Sequence, residues 1–220
     1  MRYFPICLDL KARPVLAVGG GPIAEGKILQ LVEAAADVHV VSLTLTEKLQ
    51  QAVVAGLITF RQGEFCDSDL ADKVLVICAT NNPAVNEFVA QAATARGLLC
   101  NVVDQPALCN FITPSLVTRG DLQISISTSG KSPTVAQRVK REISELIGEE
   151  YEILLEIAAA LRAAVRPLIP TFEGRRDFLK AFADSQALDL IRAGKTAEAR
   201  QLAQQMLAEF IQSVADNSAV

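Results

Sequence analysis

Tryptophan is absent from this chain of 220 residues, tyrosine occurs twice and histidine once. With so few rings to stack on bases, and a net charge of −4 in place of a basic excess, nucleic acid is a poor candidate partner. The N-terminus lacks a basic segment followed by a long apolar one, and no uncharged run reaches the roughly 18 residues that a membrane span needs. The expectation is a cytoplasmic protein with no membrane partner. His39, the only histidine, excludes a multi-histidine metal site and reads as a packed or edge residue of a strand. No C-x-x-C spacing links Cys7, Cys66, Cys78, Cys100 and Cys109, which are odd in number and partly embedded in apolar runs, so they read as reduced thiols. Low-complexity tracts are missing too. Half the residues are hydrophobic and 21% are charged, which suits a compact chain of one large or two small domains.

What is present is organised around Pro14 to Ala24. The apolar run Val15-Leu16-Ala17-Val18 stops at Gly19-Gly20-Gly21 and continues as Pro22-Ile23-Ala24, which reads as strand, tight turn and helix start. Gly19, Gly21 and Ala24 take the three small-residue places of G-x-G-x-x-G/A, where backbone closes on a pyrophosphate. Pro22 fits a first helical turn, and the helix, running through Leu29, Leu31 and Val32 to Ala36, aims its free N–H groups and positive dipole end at the phosphates. A second strand, Val38 to Val41, completes a βαβ unit of about 30 residues. The expected cofactor is NAD, with Pro22 and Ile23 beside the glycines.

Ser42, Leu43 and Thr44 follow the second strand, where the adenosine ribose belongs. Neither the usual acid nor an Arg stands there, so cofactor choice rests on hydroxyl and backbone contacts and leans to NAD over NADP. A helix to Ala55 starts at Thr caps near Glu47, a third strand spans Leu57 to Arg61, and a polar loop spans Gln62 to Asp72. The fourth strand, Val74 to Ala79, ends at Thr80-Asn81-Asn82; a helix covers Pro83 to Arg96, Gly97 stops it, and Leu98 to Val103 is the fifth strand. Continuous apolar strands alternating with helices predict an α/β fold, a Rossmann-like doubly wound parallel sheet. Its ligand crevice lies beyond the strand ends, where Gly19 to Ala24, Ser42 to Thr44, Thr80 to Asn82 and Asn101 to Asp104 converge. Val103 and Asn101 join the cofactor set, and Asp104 is either a general base or a cap for the turn before Pro106.

Beyond this point the pattern changes. Phe111 to Val117 and Leu122 to Ser127 read as two strands around Arg119-Gly120-Asp121, and Ser132-Pro133 opens a helix over Thr134 to Ile147. Helical segments follow at Tyr151 to Val165, Phe172 to Asp184, Ala187 to Arg192 and Lys195 to Val214, separated by Pro167, Pro170 and Gly194. The first residues, Tyr3 to Leu8, read as a short strand or an extended arm packed on the domain.

Five ordered blocks carry a resemblance: Val18-Gly19-Gly20-Gly21 with Ala24 and Lys27; Ala79-Thr80-Asn81-Asn82 with Asn86; Cys100-Asn101-Val102-Val103-Asp104; Pro106 to Ile112 with Pro114; and Ile126-Ser127-Thr128-Ser129-Gly130-Lys131-Ser132-Pro133. In these the chain resembles the precorrin-2 dehydrogenase and sirohydrochlorin ferrochelatase family of sirohaem synthesis. The resemblance implies an NAD-binding domain over 1–113, a central dimerisation segment over 114–148 and a helical domain over 149–220, assembled as a homodimer. It implies oxidation of precorrin-2 to sirohydrochlorin with NAD⁺ as hydride acceptor and Asp104 as the catalytic aspartate. In bifunctional members Fe²⁺ is a further substrate, inserted to make sirohaem. Arg119, Lys131 and Arg138, together with Lys140 and Arg141, either pair with the many carboxylates of such a substrate or form a solvated helix face, and Thr128 stands where some relatives have Ser. Ala34-Ala35-Ala36 replaces an Ala-Gly-Ala found in relatives, which is expected to alter that turn alone. The methyltransferase domain fused to certain homologues is not in this chain, so it is not expected to make precorrin-2. A non-catalytic NAD(H)-sensing module is the competing class, and such a module would not require the block from Asn101 to Pro114.

Overall fold

Strand β1 (Pro14–Val18) is flanked by β2 (Asp37–Ser42) on one side and β4 (Leu75–Cys78) on the other, with β3 (Ile58–Gln62) and β5 (Leu99–Val102) outermost. All four pairings are parallel, giving the order β3-β2-β1-β4-β5. The computed structural model describes residues 3–218. Alternate residues of each strand face opposite sides of the sheet. Val15, Ala17, Val38, Val40, Leu75 and Ile77 are buried against Ile28 and Leu31 of α1 (Pro22–Glu33) and Leu49 of α2 (Glu47–Val54). Leu16, Val18, Val76, Cys78, Cys100 and Val102 are buried with Val89, Ala90 and Ala93 of α3 (Pro83–Ala95). Both faces being covered explains why the central strands β1 and β4 are apolar throughout. The sheet reverses its winding between β1 and β4, which opens a crevice at their carboxyl ends.

Between β3 and β4 the doubly wound pattern has no α-helix. The loop there holds a 3-10 turn, Asp67–Leu70, stapled by Cys66 N donating to Asp69 Oδ2 at 2.8 Å. The edge of β5 is covered by the following segment: Asn110 Oδ1 accepts from Cys100 N at 2.8 Å, Asn110 N donates to Cys100 O at 3.1 Å, and Asn101 Nδ2 donates to Phe111 O at 3.1 Å. This removes an open strand edge. It also corrects the reading of Phe111 to Val117 as a strand. The Phe111 carbonyl is already engaged and Pro114 has no N–H to give, so β6 begins at Ser115 and runs to Arg119.

Helix α1 ends at Glu33 rather than at Ala36. Ala36 N donates to Leu31 O at 3.1 Å and Ala35 N to Val32 O at 2.9 Å, a Schellman closure that places Ala35 at a left-handed φ of 55°. The arm from Tyr3 to Leu8 does not pack as expected: it forms no strand, Phe4 and Ile6 are 80% and 66% exposed, and the chain first enters the core at Leu10.

Two compact units divide the chain: residues up to Thr113 with Ser129–Lys131, and Pro114–Thr128 with the chain from Ser132 onward. In the second, β6 pairs antiparallel with β7 (Leu122–Ile126), and α4 (Pro133–Leu146) starts where Ser132 Oγ accepts from Val135 N at 3.2 Å. Four helices follow: α5 (Glu150–Leu168), α6 (Phe172–Ala183), α7 (Ala187–Arg192) and α8 (Thr196–Ser218). Ile157, Leu161 and Val165 recur at four-residue spacing and bury one stripe of α5 among Phe178, Phe182, Ile191 and Ala203. Pro167 lies inside the last turn of α5 and does not separate two helices. So near the end its missing N–H removes one bond, and the stop comes at Ile169-Pro170. No described helix is long and apolar enough to cross a membrane.

Candidate functional site

The crevice at the switch point encloses about 530 Å³ and is built entirely from the first unit. Its floor is the glycine turn. Gly19 has a φ of 113° and Gly20 is packed so tightly that a side chain there would meet Thr44 O and the Leu45 side chain. Gly21 differs: its φ is an ordinary −82° and a Cβ on it would meet no protein atom within 4 Å. Glycine at 21 therefore serves the open space beside it. The first bond of α1 runs from Glu25 N to Gly21 O at 2.9 Å, and Pro22 has no N–H. The amides of Ile23 and Ala24 are left without helical acceptors at the positive end of the helix. An open glycine face, free amides and no clash make a cradle that fits a pyrophosphate.

The wall opposite is held by polar groups. Asn86, 3% exposed, accepts from Thr80 Oγ1 at 2.6 Å through Oδ1 and donates to Thr80 O at 3.2 Å through Nδ2. Cys78 Sγ donates to the same Oδ1 at 3.1 Å. Burial pushes the Cys78 thiol up to about 12, so it stays a neutral donor. Asn82 caps α3 by accepting from Ala84 N at 3.0 Å. On the other side, Thr46 N donates to Gly20 O at 3.0 Å and Thr46 Oγ1 donates to Glu25 Oε2 at 2.6 Å, tying the loop after β2 to the glycine turn.

Gly19, Gly21, Pro22, Ile23, Ser42, Leu43, Thr44, Thr80, Asn81, Val103 and Asp104 all line this crevice. Two expected cofactor residues do not. Ala24 is 2% exposed and its side chain belongs to the core under the turn, leaving only its amide for a ligand. Asn101 is turned inward to Phe111 O and holds the segment after β5. Gly20, Gly63, Glu64, Phe65, Asn82, Val85, Asn86 and Gln105 line the crevice as well. Of these, Gly63, Glu64 and Phe65 come from beyond β3, and the only sequence signal for them is that they follow a parallel strand.

Asp104 occupies a left-handed position, φ 59°, in the turn closed by Gln105 N donating to Val102 O at 3.2 Å. Its carboxylate is exposed at the crevice and accepts no hydrogen bond among the described residues. The reading of Asp104 as a turn cap has no bond to support it.

The expected substrate contacts fare unevenly. Arg119 gives Nη1 to Thr118 O at 2.7 Å and Nη2 to Ser144 O at 3.1 Å, with Nε 3.4 Å from Glu149 Oε1. Its two Nη groups are thus occupied within the second unit, while the buried Nε has no hydrogen-bond partner among the described residues. Arg138 pairs with Glu142 at 2.9 Å along an exposed helix face. Thr128 Oγ1 donates to Ser132 O at 3.1 Å and accepts from Ser132 N at 3.2 Å, closing the loop before α4. Lys131 is exposed and free of partners among the described residues. His39 bridges Asp37 Oδ2 at 3.1 Å and Thr59 Oγ1 at 2.8 Å on the sheet, and no described cluster of three or more acidic, Cys or His side chains could hold a metal. Lys27, buried enough to lower its pKa, donates to Thr113 Oγ1 at 2.7 Å.

Three family models match successive parts of the chain. Residues 6–115 match the family described as "Putative NAD(P)-binding", 119–146 the sirohaem biosynthesis protein central region, and 150–207 the sirohaem synthase dimerisation region. Siroheme synthase 1 of Klebsiella pneumoniae subsp. pneumoniae is 40% identical over 207 residues, covering 94% of this chain and 44% of that protein. Siroheme synthase of Photobacterium profundum is 36% identical over 201 residues, covering 91% and 43%. The chain thus spans less than half the length of these relatives. A solved structure titled "SirC, precorrin-2 dehydrogenase" superposes with a TM-score of 0.77 at 27% identity, covering 92% of this chain and all of that one.

Proposed function

The chain belongs to the sirohaem-synthesis family of NAD(P)-binding proteins, and from that membership and the crevice we propose that it oxidises precorrin-2 to sirohydrochlorin with NAD⁺. The observation that carries the reading is a crevice with free helix amides at one strand end and an unpaired carboxylate, Asp104, at another. NAD⁺ supplies a two-electron acceptor for the hydride. The amides of Ile23 and Ala24 hold its pyrophosphate, Ser42 to Thr44 flank the adenosine, and Thr80, Asn81 and Val103 bound the remainder. The hydride leaves one C–H bond with that bond's electron pair, Asp104 accepts the proton from a second bond to hydrogen, and the pair left by that second bond becomes the new double bond of the macrocycle. Lys131 is the cation proposed to meet substrate carboxylates.

Anaerobic incubation with precorrin-2 and NAD⁺ tests this: sirohydrochlorin absorbance and NADH must rise together. NAD(H) binding without turnover would instead favour the sensing module. Fe²⁺ insertion is proposed as a second activity, in which Asp104 would take the displaced pyrrole N–H protons. Iron uptake by sirohydrochlorin with and without protein decides it. The proposed assembly is a cytoplasmic homodimer through residues 150–207, supported by the matched dimerisation region.

A further inference from the structure

We infer that Glu64 selects the unphosphorylated dinucleotide, its carboxylate accepting the adenosine ribose hydroxyls from the strand beside the one that usually provides the acid. The inference rests on the reading of the crevice as a dinucleotide site. β2 ends at Ser42 with no acidic residue in Ser42-Leu43-Thr44-Leu45-Thr46. β3 is in register with it, Ser42 facing Gln62, and two bonds carry the pairing past the strand ends: Gly63 N donates to Ser42 O at 3.0 Å and Gln62 Nε2 to Leu43 O at 3.0 Å. Glu64 therefore emerges beside the segment where the ribose belongs, and it lines the same crevice as Ser42, Leu43 and Thr44.

The position is built. Gly63 has a φ of 149°, which lets the chain turn out of the strand, and Arg61 Nη2 clamps Glu64 O at 2.8 Å. The Glu64 carboxylate itself is exposed and has no partner among the described residues. Arg61 does not neutralise it, because Arg61 Nε is bonded to Asp69 Oδ1 at 2.9 Å and Nη2 also pairs with Asp69. Among the described residues, no Lys or Arg lines the crevice. A ribose hydroxyl pair presents O–H donors to a carboxylate, a charge-assisted arrangement. A 2′-phosphate presents only negative charge to Glu64, and among the described residues no Lys or Arg lining the crevice offsets the repulsion, Arg61 being paired with Asp69.

Calorimetric titration with NAD⁺ and NADP⁺ tests the assignment without reference to turnover. The unsubstituted protein is expected to prefer NAD⁺ by at least about tenfold, Glu64→Gln to shrink that ratio about tenfold, and Glu64→Arg to favour NADP⁺, the direction expected when a cation meets a 2′-phosphate. A ratio unmoved by either substitution, or parallel loss of both ligands, overturns the role of Glu64 while leaving a dinucleotide site. Failure of the unsubstituted protein to bind either dinucleotide overturns the site and the inference together.

Discussion

The α-carbon of Gly19 lies against the carbonyl group of Ala79 so closely that a methyl group on Gly19 would overlap it, whereas Gly21, two residues on, faces open space. The fold requires the first glycine, and the second leaves open the space the proposed pyrophosphate would take. Gly19→Ala must also hold a φ of 113° that an L side chain rarely adopts. It is expected to cost at least about 3 kcal/mol and to show as a lowered midpoint in urea. Gly21→Ala is a weaker N-cap with a less flexible unfolded chain, so its stability should change by under about 1 kcal/mol. Its dinucleotide affinity should nevertheless fall at least about tenfold in a calorimetric titration. Equal affinity in the folded Gly21→Ala protein would show that the pyrophosphate lies elsewhere.

Asp104 tests the chemistry separately from the fold. Its left-handed φ of 59° is tolerated best by Asn and Asp after glycine, so Asp104→Asn keeps the turn while removing the proposed proton acceptor. The expected outcome is a kcat reduced by about 10²- to 10⁴-fold with NAD⁺ binding unchanged. Retained turnover in the coupled precorrin-2 assay rejects the assignment.

Ala35 is strained for a reason the sequence announces only as a missing glycine. The Schellman closure needs a left-handed residue at this point, and alanine supplies it with a φ of 55°. Ala35→Gly should relieve about 1 kcal/mol of that strain, less the added freedom of the unfolded chain. Thermal unfolding of the variant is expected a few degrees higher; a lower midpoint would mean that the turn gains more from the methyl group than the strain costs.

The five thiols should separate by burial. Cys7 and Cys66 are exposed and should react with an aromatic disulfide reagent at pH 8, Cys109 more slowly, and Cys78 and Cys100 only after denaturation. Burial holds Cys78 at about 12 and Cys100 at about 11 against an ordinary value of 9.0. Because the fold keeps these protons longer than the unfolded chain does, their contribution is complete below pH 9.0 and is lost as pH rises toward 12. Chemical denaturation at pH 8 and pH 11 should show the decline, and a Cys78→Ala, Cys100→Ala double variant should reduce it.

Much of the crevice is legible in the sequence because its parts obey local rules. A glycine turn after an apolar run, Pro22 in a first turn, Gly97 at φ 67° after α3 and Ser132-Pro133 before α4 each act within a few residues. Parts that depend on neighbours distant in sequence were not legible. Asn101 looked like a crevice residue until the segment carrying Phe111 folded against β5 and engaged its amide. Arg119 looked like a free cation until Ser144 and Thr118 carbonyls enclosed it.

Composition and short-range pattern determined that this chain makes a doubly wound sheet with a glycine turn opening a helix after its first strand, since propensity, periodicity and turn chemistry act on adjacent residues. Which acidic side chains stand in the crevice was decided by tertiary structure. Strand order and register bring Glu64, two residues beyond β3, to the crevice beside the end of β2 at Ser42, through hydrogen bonds between strands that no local pattern encodes.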